Sequence, residues 1–170
     1  MIGFGQTYVP DDNFEAYLEA NGMGDGVALN NFVTTANINT VTYLDVFSQN
    51  IADLTGIEAF TALTHLDCSA NYLTSLDISN STALTYLDCS ANYLTSLDLS
   101  NLTINSNIYI YSLSNPNLFC IDVGNPPLAQ VLFTNIDPWT SFDTNCVTAL
   151  GCTDTLAYNY DSTATINDDS

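Results

Sequence analysis

The chain holds no lysine and no arginine in 170 residues, against 16 aspartates, 3 glutamates and a single histidine, His65. Ordinary composition would place about 20 basic residues in this length. Affinity for nucleic acid rests on Lys and Arg contacts to phosphate, so that partner class is excluded, and anionic membrane surfaces are excluded for the same reason. With His65 as the one side chain able to carry positive charge, the fold cannot rest on ordinary salt bridges. Repulsion among its carboxylates has to be relieved by solvent, salt or bound cations. Long apolar runs are missing too: no stretch approaches the roughly 18 residues of a membrane span, and membrane insertion is not expected. The hydrophobic content of 46% nevertheless suffices for one buried core.

What the chain does contain is a tandem repeat. LTHLDCSANYLTSLDISNSTA, from Leu63, is followed at once by LTYLDCSANYLTSLDLSNLTI, and the copies differ only at His65/Tyr86, Ile78/Leu99, Ser81/Leu102 and Ala83/Ile104. A period of 21 residues means a solenoid, in which stacked copies bury aliphatic ladders that one copy could not bury alone. Leu63, Leu66, Cys68, Leu73, Leu76 and Ile78 are expected to point inward. Asn71 and Asn92 form a polar ladder, because an inward asparagine at a tight bend can hydrogen-bond backbone groups that neither helix nor sheet would satisfy.

At these residues the chain resembles the leucine-rich repeat family. More narrowly, TYVPDDNFEAYLEANG, the LTxLDCSxNxLTSLDxSN units, NPNLFCIDV and GCTDTLAYNYDSTATINDDS are similar to secreted leucine-rich repeat proteins of the Bacteroidetes phylum. The resemblance implies a mostly β, right-handed solenoid of α/β repeats, exported to the cell surface or the extracellular space, with a short N-terminal capping helix. It names no ligand.

Taken in order, Met1 to Gly5 look like the end of a secretory signal, and residues 6–40 form an N-terminal cap. Asp12 is expected as N-cap of a helix running to about Ala20, with Glu15 completing a capping box and Asn21-Gly22 ending it. A plain turn outweighs a calcium role for Asp25. Residues 41–119 carry the repeats. The first, from Val41, has 22 residues, with Gln49 in the asparagine position and its extra residue on the convex side. In the last, Ile110, Ser112 and Asn115 keep the inward register. Residues 120–150 are expected to close the open end, after Pro126-Pro127 breaks the pattern, with Phe133, Trp139 and Phe142 folded over it.

Five cysteines divide into three kinds. Cys68 and Cys89 share a ladder position and read as small buried hydrophobes. Cys120 and Cys146 bracket the C-terminal cap, and a disulfide between them would contribute roughly 3 kcal/mol by chain-entropy reasoning. Cys152 is left over. In the tail motif that residues 151–170 resemble, GCTDxxAxNYDxxATxDDGSC, its partner is the closing cysteine; here the sequence stops at Ser170, one residue short, with Asp169 where the motif has glycine. Asp154, Asp161, Asp168 and Asp169 have the hardness calcium requires but not the spacing of an EF-hand. No cofactor is expected, and calcium is the one ion this tail could hold. Thr155 and Ser162 lie in Asp-Thr/Ser contexts similar to the O-glycosylation sites of that phylum.

Side chains alternate along a strand, so the residues flanking each inward leucine face out of the concave side. One row is Tyr43, His65, Tyr86 and Tyr109; its neighbour is Asp45, Asp67, Asp88 and Tyr111, with rungs about 5 Å apart. Aromatic rings beside acceptor-only carboxylates suit sugar hydroxyls or a cation-rich protein surface. The plainer account is that Tyr is a good strand residue and Asp a solubilising one, copied by duplication. Carboxylates this close are also expected to recruit a divalent ion. No nucleophile, base and orienter come together, and no zinc spacing occurs, so catalysis is not expected. The leading expectation is a recognition or adhesion module binding glycan or protein on the concave face. The competing one is a structural subunit that self-associates into a filament or matrix, for which Tyr72 and Tyr93 supply a second outward row.

Overall fold

A computed structural model describes residues 5–146, with the backbone of the short parallel pair Leu150–Gly151 and Ile166–Asn167. Met1 to Phe4 of the expected signal remnant, the candidate glycosylation residues Thr155 and Ser162, Cys152, and Asp154, Asp161, Asp168 and Asp169 lie outside the described residues.

Gln6–Tyr8 (β1) pairs antiparallel with Phe32–Thr34 (β2), and Asp12–Ala20 (α1) lies between them in sequence. Asp11, not Asp12, is the N-cap: its Oδ1 accepts from the amides of Asn13 and Phe14 at 2.9 and 3.0 Å. The reason is tertiary. Oδ2 of the same carboxylate accepts from Ala52 and Asp53 at 2.8 and 3.1 Å, so Asp11 clamps the helix to the first coil. Glu15 closes no capping box; fully buried, it accepts from Asn30 and Asn31 amides at 2.8 and 2.9 Å and holds the loop returning to β2. Gly22, at φ +73°, ends the helix with the Met23 amide reaching back to the Leu18 carbonyl. Asp25 holds a turn by accepting from Gln6, Val27 and Asn30.

After the short helix Thr35–Ile38 (α2), the chain begins to coil. Tyr43–Asp45 (β3), His65–Asp67 (β4), Tyr86–Asp88 (β5) and, beyond Leu97–Asp98 (β6), Tyr109–Tyr111 (β7) include the four strands of one parallel sheet, ordered β3-β4-β5-β7. Cys120–Asp122 (β8) and Ser141–Asp143 (β9) extend β6 into a second parallel sheet. The turns that hold β5 and β7 thus pass the first sheet and then the second, through β6 and β8. Leucine-register residues stack as expected: Leu44, Leu66, Leu87 and Ile110 on the first sheet, then Ile51, Leu73, Leu94 and Leu118, all buried.

Between those two ladders every coil turns through a left-handed residue, Ser48, Ala70, Ala91 or Ser114, at φ between 54 and 63°. The asparagine that follows answers the backbone groups this bend strands. Asn71 Oδ1 accepts from Gln49 and Ile51 at 3.1 and 2.9 Å, and Nδ2 donates to the carbonyls of Val46 and Cys68 at 2.8 and 3.0 Å. Asn92 and Asn115 repeat the pattern one and two coils on. Gln49 does not join this ladder: it is exposed, and its side chain donates to the Phe47 carbonyl. No coil precedes it whose backbone would need an inward amide. The extra residue of this first repeat falls at Gly56 (φ +106°), before the 3₁₀ turn Ile57–Ala59. A Cβ there would come within 2.8 Å of Val9 and 2.9 Å of the Tyr8 carbonyl, so glycine lets the N-terminal cap lie against the coil.

The proline pair starts a helix where it was expected to end the pattern. Pro126–Leu132 (α3) carries both prolines in its first turn, where a missing amide costs nothing, and Asn125 caps it through Leu128. The chain then makes a further coil. Asn135 accepts from the Ser112 amide, Phe142 pairs beside Ile121, and Asp137 occupies the asparagine place, accepting from Ser114 and Asn115 at 3.0 and 2.8 Å. Trp139, expected to fold over the open end, is 49% exposed. An extra residue after Asp137 puts Thr140 in the inward position and bonds its hydroxyl to Leu118. Cys120 and Cys146 are disulfide-bonded, with Cα atoms 5.7 Å apart, while Cys68 and Cys89 are free and buried.

Asp11→Ala removes four hydrogen bonds to backbone amides and should destabilise the protein by about 2 kcal/mol or more, whereas Asp12→Ala should cost under about 0.5 kcal/mol; urea titrations of the two variants compare them. The thiols provide a second check. Burial above all pushes Cys68 and Cys89 far above the usual thiol range. The folded protein therefore keeps protons that the unfolded chain releases near pH 8.5. Stability is complete below that pH and falls as pH rises towards the folded values, by up to about 1.4 kcal/mol per pH unit for each thiol. Denaturation between about pH 9 and 10 should show this slope, and Cys68→Ala with Cys89→Ala should remove it. A flat profile in the parent protein would contradict the burial.

Candidate functional site

The first sheet carries the concave rows. Its short strands bury the central leucine or isoleucine and turn both neighbours outward. Register sets Tyr43 opposite His65, His65 opposite Tyr86 and Tyr86 opposite Tyr109; in the next row Asp45, Asp67, Asp88 and Tyr111 are likewise opposite one another. All eight residues named from the sequence share this face.

Their rings do not present a row of open faces. Tyr43 and His65 stack at 4.3 Å between centroids with planes 18° apart, and His65 and Tyr86 at 4.0 Å and 6°. The imidazole is thus covered on both sides. Tyr86 then meets Tyr111 at 5.5 Å, tilted by 38°, and Tyr109 stands apart, 56% exposed. A ligand meets ring edges and phenol hydroxyls along the stack, with a freely accessible ring at Tyr109. His65 makes no side-chain hydrogen bond among the described residues, so nothing orients it as a general base.

The carboxylate row is half spoken for. Asp45 Oδ1 accepts from the Phe47 amide at 3.0 Å, Asp67 Oδ1 from the Ser69 amide and hydroxyl at 3.0 and 2.6 Å, and Asp88 Oδ1 from the Ser90 amide at 2.9 Å. The second oxygen of each has no protein donor among the described residues. Desolvation raises the Tyr86 phenol above its ordinary value, and the charges of Asp88 and Asp67 push it the same way. No group of three His, Cys, Asp or Glu side chains able to hold a metal ion occurs among the described residues.

Two contributions to this face escape pattern reading. Tyr17 on α1 is raised first by burial and then by Asp45 and Tyr43, which puts the capping helix beside the first rung. Phe47 and Leu113, 54% and 40% exposed, lie two residues past Asp45 and Tyr111, just beyond the first and last strands of this sheet. The signal for them was the departure from serine at this repeat position, Phe47 and Leu113 against Ser69 and Ser90.

No family model matches the chain. Over 74 residues, 44% of its length, it is 36% identical to internalin J of Listeria monocytogenes serotype 4b (strain F2365), and that stretch is 8% of the relative. The chain therefore spans a small part of the curated protein it matches. Among solved structures it is similar to the functional domain of internalin J from Listeria monocytogenes, described as including a cysteine ladder. The TM-score is 0.55 and the identity 28%, covering 84% of this chain and 28% of that one. Stacked parallel strands, inward leucine ladders, an asparagine at each bend and this likeness together show that the chain has the leucine-rich repeat fold.

Proposed function

We propose that the chain is an extracellular or cell-surface recognition module that holds a protein partner on the concave face of its first sheet and performs no chemistry there. The observation that carries this is the stripe itself: stacked and exposed aromatic rings beside three carboxylates, each with a free oxygen, on a rigid parallel sheet. Nothing in the core requires tyrosine at Tyr43 or Tyr109, which are 60% and 56% exposed. A glycan is the weaker ligand, since sugar rings stack on open aromatic faces and both faces of His65 are already covered. Export agrees with the Cys120–Cys146 disulfide, a bond that persists in oxidising compartments, and with the likeness of the tail to exported Bacteroidetes proteins. No described helix is long and apolar enough to cross a membrane.

Self-association into a filament has one observation in its favour. Tyr72 and Tyr93, each about half exposed, lie parallel at 6.3 Å on another flank. The test separates the faces. Labelled protein is applied to arrays of purified extracellular protein domains and of glycans, as parent, as Tyr43→Ser with Tyr109→Ser, and as Tyr72→Ser with Tyr93→Ser. At about 1 kcal/mol per ring, the concave pair should weaken array binding by tenfold or more with little change in Tm, and the flank pair should leave it intact. Undiminished binding by the concave pair would sink the proposal.

A further inference from the structure

The concave-face reading leaves the chemistry of the partner open, and the charge of the stripe narrows it. We infer that the partner is a cationic protein surface whose lysine and arginine side chains engage the free oxygens of Asp45, Asp67 and Asp88 beside the Tyr43–His65–Tyr86 stack.

The chain supplies no Lys or Arg of its own, so nothing internal competes for this row. Each carboxylate spends one oxygen on the turn that follows its strand, and the other has no protein donor among the described residues. Opposed residues of neighbouring parallel strands lie about 4.8 Å apart, within the span of one planar guanidinium reaching two carboxylates. Asp67 and Asp88 are half-buried, and a partly desolvated carboxylate attracts an incoming cation more strongly than a fully exposed one. The field is felt within the protein, since both carboxylates help to raise the Tyr86 phenol. Tyr109, 56% exposed and opposite Tyr86 in the register, adds an aromatic ring with which a guanidinium can interact. A formal charge of −19 repels anionic glycans and acidic proteins alike.

General acidity would attract any cation to any part of this molecule, so the test needs a matched control. Asp53, Asp77 and Asp98 lie away from the concave strands, are exposed, and each caps a turn through one oxygen in the same way. Two triple variants, Asp45→Asn, Asp67→Asn, Asp88→Asn and Asp53→Asn, Asp77→Asn, Asp98→Asn, remove equal charge and keep every turn acceptor. The probes are a soluble oligo-arginine peptide and its citrulline counterpart, which has nearly the same shape without the charge. Titrations at low and physiological salt should show arginine binding weakened about tenfold by the concave triple and less than about twofold by the control, with no binding of the citrulline peptide. Equal losses in the two triples, or citrulline binding as tight as arginine, would overturn the inference. Failure of the concave reading has a different signature. If Tyr43→Ser with Tyr109→Ser abolishes array binding while the concave triple leaves it unchanged, the face stands and the cation is wrong; if neither changes it, both are wrong.

Discussion

Side-chain oxygens accepting from backbone amides hold this molecule at each of its bends. A coil that turns through a left-handed residue cannot pair its own amides and carbonyls there, and burying them unpaired costs about 1–3 kcal/mol each. Asn71, Asn92 and Asn115 remove that cost for successive coils, and Asp137 does so for the last described one, where both partners are amides and a carboxylate serves better than an amide. The direction of the strand before each bend, and the outward aim of its tyrosine and aspartate, follow from where this bond places the turn.

The missing cations belong to the same account. Every described carboxylate except Asp12 accepts from at least one backbone amide. An N–H dipole stabilises a carboxylate without a lysine or arginine beside it, and the aspartate two residues before the amide is the residue type that does so locally. A protein built this way has no need of salt bridges within the fold and keeps its charge for the outside. That connects the architecture to recognition: the concave row is acidic because turn formation asks for aspartate at the strand ends, and each aspartate needs only one oxygen for the purpose.

Much of this was legible from the repeat. The inward places of Leu66 and Cys68, the asparagine ladder, the worn repeat at Ile110, Ser112 and Asn115, and the bond between Cys120 and Cys146 all depend on position within a period or on spacing, and periods are what a sequence displays. The misreadings share a different cause. Asp11 displaces Asp12 as helix cap because of amides in the next coil, 41 and 42 residues away. Asp137 escaped notice because a carboxylate stands where the earlier coils have asparagine and Thr140 stands where they have an aliphatic residue, so neither residue type marks the repeat. The face-to-face stacking of Tyr43, His65 and Tyr86 depends on side-chain rotamers, which one-letter codes do not carry. That stacking is the reason the proposed partner is a protein and not a sugar.

The most direct measurement of the central claim is the stability of Asn71→Leu, which keeps shape and apolar bulk and removes the carboxamide. Urea titration with amide hydrogen exchange at Gln49 and Ile51, the two donors to Asn71 Oδ1, reads both consequences. If the bends depend on these bonds, stability falls by roughly 3 kcal/mol or more and the Ile51 amide loses protection ahead of the strand amides. Parental stability with Ile51 still protected would mean that the leucine ladders hold the coils without the asparagine, and the account would be wrong.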